Sequence, residues 1–382
     1  MKVILNATPL VMGGSLQACV AFIREALAAD DGIDWWFLVS AEVDRELNRF
    51  DVDISTNQGH VFKVSPARSK FARKKLVNYV SSLDADAVFT FFGPAYVNFS
   101  APHLMGVADG WITHSSRVAL GMLDMPVGLL KFALLFFYKR YWYRRADSWV
   151  VEAGCARDGM VKRFFIEPER ISVVSNSCAD SYRTNSKLTR SIENRVRLLT
   201  LSAFYKHKNL EIIPSVAIEL KKLLPNKKFE FIITIEKGSR GEKKLLSLAA
   251  KLGVTDQVIN IGPVSLKDGP ALYADSDITF MPSVLETFSA VYPEAMMSGC
   301  PIVTTDLDFA KDICGNAACY YSPLDAKAAA QVIAELVNDT YAYKNLVAKG
   351  RERVVMFPDQ TGKYTAYTDA IVSMLTNRVE VQ

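Results

Sequence analysis

The chain has 382 residues, half of them hydrophobic and 23% charged, with a net charge of +4. That length suggests two domains with sizeable cores, and the composition is that of an ordinary globular protein. The mild charge gives no reason to expect nucleic acid as a partner. Six cysteines (Cys19, Cys155, Cys178, Cys300, Cys314, Cys319) form no Cys-x-x-Cys pair, and there are only four histidines. They read as reduced, mostly buried thiols of a cytosolic protein and argue against zinc. No stretch supplies about 20 clean apolar residues, so no spanning helix is expected.

The N-terminal MKVILNATPL is too short an apolar run for a signal peptide and reads as a buried strand, Val3-Ile4-Leu5, closed by Asn6 and Pro9. A glycine loop, Met12-Gly13-Gly14-Ser15, leads into a helix with apolar residues at Leu16, Cys19, Val20, Ile23 and Leu27. Gly13 and Gly14 would let backbone approach a ligand, or simply make a turn. Strands follow at Trp35–Val39, Phe62–Val64, Ala87–Thr90 and His103–Val107, with helical stretches between them. Alternating strands and helices predict a doubly wound parallel sheet, with ligands at the carboxyl ends of its strands.

Asp109 follows the His103–Val107 strand and is a candidate acidic group; His103 and His114 lie nearby. The SKFARKK run at 69–75 reads either as a solvated helix face or as a contact for anionic lipid. Residues 126–147, PVGLLKFALLFFYKRYWYRRAD, mix apolar, aromatic and basic residues. The basic aromatic segment 131–145 reads as an amphipathic helix suited to peripheral membrane contact, or as a core helix with a basic outer face. Strands return at Ser148–Val151 and Ile171–Val174.

Residues 179–195 are polar without apolar periodicity and mark a domain boundary, with a linker at 181–195. The first domain is then 1–180 and the second 196–360. The second restarts with strand Val196–Leu201. Lys206, His207 and Lys208 follow, just ahead of a helix through Ile212, Val216 and Leu220. Cations before a helix oppose its dipole unless an anion is bound there, so Lys208 is a candidate for neutralising a diphosphate. Further strands are expected at Phe229–Ile233, Val258–Gly262 and into Phe280. The stretch from Met281 to Val303 then offers a turn at Pro282-Ser283 and Glu286 on a loop. Small residues at Thr287, Ser289 and Ala290 precede a helix bearing Glu294, and Gly299 and Pro301 end it. A loop feeding a helix presents free N–H groups to a phosphate. Asp306-Leu307-Asp308, after that helix, has the look of a metal-binding Asp-x-Asp motif.

This last stretch resembles the donor-sugar signature of family-4 retaining glycosyltransferases of the GT-B fold: Pro282-Ser283, Glu286, Phe288-Ser289, Glu294-Ala295-Met296, Gly299 and Pro301. Ser289 stands where the family has glycine. The resemblance implies two Rossmann-like doubly wound parallel-sheet domains facing a central cleft, with 361–382 packing back on the first. It implies that Glu286 holds hydroxyls of the transferred sugar and Glu294 the nucleotide ribose. Amides near Phe288, Ser289 and Ala290 would meet the diphosphate, and Gly13 and Gly14 would edge the cleft.

Lys208 matches the family's phosphate-clamping lysine. Its arginine partner is replaced by Ala203, with Lys206 a candidate substitute. Ala108 replaces the usual histidine before Asp109, which is left as the catalytic candidate on the acceptor side. The implied activity is metal-independent, cofactor-free retaining transfer from a UDP-, GDP- or dTDP-sugar to a lipid-linked glycan in bacterial surface-polysaccharide (O-antigen, lipopolysaccharide or capsule) assembly, at the inner face of the cytoplasmic membrane. Two alternatives are a nucleotide-sugar-binding assembly partner with impaired turnover and a GT-B nucleotide-sugar epimerase.

Overall fold

The computed structural model describes all residues except 12, 55–57, 178–179, 184–194, 266 and 380–382. Most of the expected linker at 181–195 lies outside the described residues, as do Met12 and Cys178. The chain divides into two units. The first is Met1–His114, Asp124–Asn176 and Pro358–Gln382; the second is Ser115–Leu123 and Ser177–Phe357.

The first unit is built on a seven-stranded sheet: β1 (Lys2–Ala7), β2 (Asp34–Ser40), β3 (Gly59–Phe62), β4 (Ala87–Thr90), β5 (His103–Val107), β6 (Ser148–Val151) and β7 (Ile171–Val173). Its spatial order is β3-β2-β1-β4-β5-β6-β7, and every pairing is parallel. Helices cover both faces of such a sheet, so its strands are near-continuous apolar runs. One layer packs helix Gly14–Ala28 through Cys19, Val20, Phe22, Ile23 and Ala26. There Phe22 sits among the rings of Trp35, Phe89, Phe91, Tyr364 and Tyr367. The two tyrosines come from helix Gln360–Val379, and Trp35 Nε1 donates to Tyr364 Oη at 2.9 Å.

The third strand begins earlier than its apolar residues suggest, at Gly59 rather than Phe62. A Cβ at Gly59 would lie 2.4 Å from the Ile54 carbonyl oxygen, so the strand passes the preceding chain only as glycine.

Helix Val127–Tyr143 differs from both readings of its sequence. Tyr143 is its only buried residue, so it is not a core helix. Nor is it amphipathic in the ordinary sense, because apolar side chains occupy both its faces. Phe132 and Phe136 face inward, 6.1 Å apart, while Leu130, Leu134 and Phe137 are each about two-thirds exposed. Among the described residues, no helix is long and apolar enough to cross a membrane.

The second unit has a six-stranded parallel sheet: β8 (Arg195–Thr200), β9 (Lys228–Ile233), β10 (Val258–Asn260), β11 (Ile278–Met281), β12 (Ile302–Thr305) and β13 (Ala318–Tyr321), in the order β10-β9-β8-β11-β12-β13. The last strand, with only two buried residues, gave little apolar signal in the sequence. Helices Ile213–Leu223 and Ala326–Asn338 close one face, with Val216, Leu220, Ile333 and Val337 in one core with Phe231 and Phe280. In both sheets the strand order reverses once, between β1 and β4 and between β8 and β11. Ligands of doubly wound sheets sit beyond the strand ends at that reversal.

His103 belongs to the first sheet's interior. Its Nε2 lies 2.8 Å from Thr90 Oγ1, which accepts from Asn6 Nδ2 at 3.1 Å. Burial pushes the imidazole down to about 4, against the opposing pull of Asp147. The folded state therefore refuses a proton that the unfolded chain takes up near its ordinary 6.5. The stability this provides is complete above about pH 6.5 and falls as pH drops toward 4. His103→Gln should flatten that loss by up to about 1.4 kcal/mol per pH unit, measured by urea unfolding across the window.

Candidate active site

The reversal in the second sheet brings together the loops leaving β8 and β11. The strands are in register, Leu198 beside Ile278 and Leu199 beside Thr279, and Thr200 Oγ1 donates to the Phe280 carbonyl at 2.8 Å. Beyond the strand ends the Val284 amide donates to the His207 carbonyl at 2.8 Å, and Thr305 Oγ1 donates to the Ser283 carbonyl at 2.7 Å. Two separate loops are thereby pinned to one another and to the third strand end.

On this frame Lys208 Nζ donates to Glu286 Oε1 at 2.6 Å. The two side chains are 16% and 9% exposed, so the pair is largely but not wholly withdrawn from water. Lys208 closes a 3-10 turn, Lys206–Lys208. Asn209 follows with φ +51°, a left-handed conformation that asparagine tolerates better than most residues. It turns the chain into Leu210–Ile212 and helix Ile213–Leu223. Lys206, on the same turn, is exposed, while Lys208 points inward. His207 is half-buried and stacks on Tyr205 at 5.7 Å. Burial pushes its imidazole down, Glu286 pulls it up and Lys208 pushes it down again, so all three share one electrostatic neighbourhood.

Glu294 is held differently. It lies in the first turn of helix Val291–Met297. Its Oε2 accepts from Tyr273 Oη at 3.0 Å, and the Tyr182 hydroxyl also bonds to the carboxylate. Burial raises its carboxyl above the usual range; the two tyrosine hydroxyls pull the other way. Tyr182 and Tyr273 meet edge to face at 5.7 Å. Tyr182 fits because residue 269 is glycine: a Cβ there would come within 2.5 Å of the tyrosine hydroxyl oxygen. The loop residues between the two glutamates divide. Phe288 is buried against Phe357, with ring centroids 5.5 Å apart, while Ser289 and Ala290 are half-buried at the helix start. Glu286 and Glu294 thus have separate partners, a cation for one and phenols for the other.

In the first unit, the loops after β1, β4 and β5 enclose a cavity of about 370 Å³, lined in part by Leu10, Phe92, Tyr96, Asp109, Lys139 and Tyr143. Lys139 Nζ donates to Asp109 Oδ2 at 2.5 Å. Ala108 also lines the cavity, whereas His103 sits at the opposite, N-terminal end of β5, bonded within the sheet. His114 Nδ1 lies 2.8 Å from Thr113 Oγ1 at the end of a short helix. Gly13 takes φ +80° and Gly14 begins helix Gly14–Ala28; a Cβ on either would meet nothing within 4 Å. Asp306 is ion-paired to Lys311 at 2.5 Å, and no cluster of three or more metal-ligating side chains occurs among the described residues.

Tyr182, Tyr273 and Lys139 escaped notice in the sequence. Tyr273 lies in the run that leads into the Met281–Val303 stretch, and Lys139 is one cation among several. Their role follows only from what the fold sets opposite them.

Residues 182–353 match the family model described as Glycosyl transferases group 1. That match falls within the second unit, and the two parallel-sheet units have the GT-B fold. The O-antigen chain mannosyltransferase RfbU of Salmonella typhimurium is 26% identical over 196 residues, 50% of this chain and 52% of that protein. The chain thus spans about half the length of this curated relative. A glycosyltransferase from Rickettsia africae superposes with a TM-score of 0.71 at 16% identity, covering 98% of this chain and 99% of that one. Anabaena HepE, solved with UDP and glucose, gives 0.70 at 15% identity over 98% and 100%. At such identities these two structures speak for the fold alone.

The Tyr273–Glu294 contact is open to direct measurement. Tyr273→Phe keeps the ring and removes one donor from a buried carboxyl. It should destabilise the protein by roughly 1–3 kcal/mol in urea unfolding. An unchanged midpoint would mean that Tyr182 alone holds Glu294.

Proposed function

We propose that this protein transfers a sugar, with retention and without a metal, from a nucleotide-diphosphate sugar to a hydroxyl of a lipid-linked glycan in cell-surface polysaccharide assembly. The observation that carries this reading is the Lys208–Glu286 pair at the sheet reversal, inside the stretch that matches the Glycosyl transferases group 1 family. The likeness to RfbU, an O-antigen chain mannosyltransferase, supports the acceptor class, and the UDP and glucose bound to HepE support a nucleotide-sugar donor. Peripheral contact through segment 131–145, at the inner face of the cytoplasmic membrane, would bring the enzyme to such an acceptor.

The chemistry asked of these residues is modest. As the bond from the anomeric carbon to the diphosphate breaks, negative charge grows on the departing oxygen. A lysine ammonium has three donors, so Lys208 can keep Glu286 and still reach that oxygen. Preorganised cations and amides aimed at developing charge contribute most where water is excluded. The amides of Phe288, Ser289 and Ala290, at the start of helix Val291–Met297, take the diphosphate, with exposed Lys206 at its edge. Glu286 accepts from sugar hydroxyls and Glu294 from the ribose, with Tyr182 and Tyr273 fixing the latter carboxylate.

The acceptor hydroxyl attacks the same face that the leaving group vacates and gives its proton to the departing phosphate oxygen, which conserves configuration. Asp109 positions that hydroxyl. Gly13 and Gly14 leave open space beside the acceptor loop.

Three substitutions separate these roles. Lys208→Ala should lower kcat by about 10²–10³, the usual loss for one donor to developing charge. Glu286→Ala should abolish transfer while keeping most nucleotide affinity, and Glu294→Ala should weaken nucleotide binding instead. A thermal-shift panel of UDP-, GDP- and dTDP-sugars identifies the donor, since a ligand at 100 times its Kd adds about 2.7 kcal/mol of stability. Equal, mild effects of both glutamate changes would refute the division of labour.

A further inference from the structure

Helix Val127–Tyr143 carries apolar groups on the side turned away from the protein. At 3.6 residues per turn, Leu130, Leu134, Phe137 and Tyr141 fall within about 60° of arc. Phe132, Phe136, Lys139 and Tyr143 fall within about 60° on the opposite side. The second set is the inner one: Tyr143 is buried, the other three are half-buried, and Lys139 and Tyr143 line the cavity of the first unit. The first set is 64%, 66%, 66% and 51% exposed, and Met125 and Val127 beside it are 64% and 58% exposed.

Solvent-facing stripes of this kind are costly unless something covers them. Cations flank the stripe at Lys131, Arg140, Arg144 and Arg145, and the sequence has no acidic residue between Asp124 and Asp147.

A second segment joins the same surface. The Arg73 guanidinium donates to Tyr138 Oη at 3.0 Å and lies over the rings of Tyr96 and Trp142 at 5.6 and 5.3 Å. It also donates to the Pro66 carbonyl at 2.7 Å. Arg73 thereby fastens helix Lys70–Ser82 to helix Val127–Tyr143. On that fastened helix Phe71 is 80% exposed, and Lys70 and Lys74 beside it are exposed as well.

We propose that these two helices form one composite docking surface for a bilayer containing anionic lipid. The stripe Leu130, Leu134, Phe137 and Tyr141 enters the headgroup region, and the flanking lysines and arginines meet the lipid phosphates. The proposal deepens the lipid-linked acceptor reading: the helix that touches the membrane also lends Lys139 and Tyr143 to the cavity holding Asp109. Charge complementarity selects a bilayer over a protein partner, because the cations ring an apolar stripe that contains no acid. A second copy of this chain would bring the same cations against themselves.

The test is flotation of the purified full chain with phosphatidylcholine vesicles with and without phosphatidylglycerol. The wild-type protein should float with the anionic vesicles and much less with neutral ones. Leu134→Glu/Phe137→Glu should weaken this by about ten-fold or more. Arg144→Gln and Arg145→Gln should each weaken it about five-fold, which also tests the surface should the glutamate variant not fold. Tyr341→Glu, at an exposed aromatic of the second unit, should change nothing.

Absence of flotation, or a glutamate variant that floats as wild type, overturns the proposal. So does a light-scattering dimer that the glutamate variant splits. The vesicles contain neither donor nor glycan, so such a failure would leave the sugar-transfer reading to its own nucleotide and kinetic tests.

Discussion

An ammonium and a carboxylate 2.6 Å apart, contributed by loops 78 positions apart in sequence, set the character of the second unit. Taking both ions out of water costs several kcal/mol each when burial is complete, and their attraction repays this only in good geometry. Here the residual exposure at each side chain softens both sides of that balance. Such a pair is weak evidence for stability. It is better understood as a poised arrangement, in which an anion from one loop keeps a cation from another in place. The inter-loop bond from Val284 to the His207 carbonyl holds the backbone that carries both.

Both sheets solve the same geometric problem in the same way. Parallel strands connected by right-handed crossovers leave one gap where successive connections run to opposite sides. In the second sheet that gap receives Lys208 and Glu286. In the first it lies beside the cavity that contains Asp109 and Lys139. Each unit thus has a lysine–carboxylate contact, at the reversal in the second and in the neighbouring cavity in the first, 2.6 Å in one case and 2.5 Å in the other. The surroundings differ: one pair stands in a loop junction with a histidine, the other in a cavity with aromatic walls.

Much of this was legible in the residues themselves. The apolar runs of β1, β2, β8 and β9 announce buried parallel strands, and the order of turn, carboxylate, small residues and helix from Met281 to Val303 survives intact in the structure. What the sequence could not show depends on distant partners. Whether the 126–147 stretch packs or protrudes is decided by how much of it the sheet can cover, and its period contains apolar residues on both sides. The start of β3 was hidden because Gly59 and His60 look like a turn until Ile54 is seen pressing against the glycine. Strand β13 was hidden because half of it is only partly covered. The environment of Glu294 was invisible for a further reason: the tyrosines that hold it lie 21 and 112 positions upstream.

Gly269 sets the terms on which one of those tyrosines arrives. Its missing side chain is the space that the Tyr182 ring and hydroxyl occupy. Any larger residue at 269 would evict the phenol and strip one proton donor from a carboxyl on another helix. A replacement at that inconspicuous helix start would therefore announce itself far from its own position, as an altered acidity of Glu294.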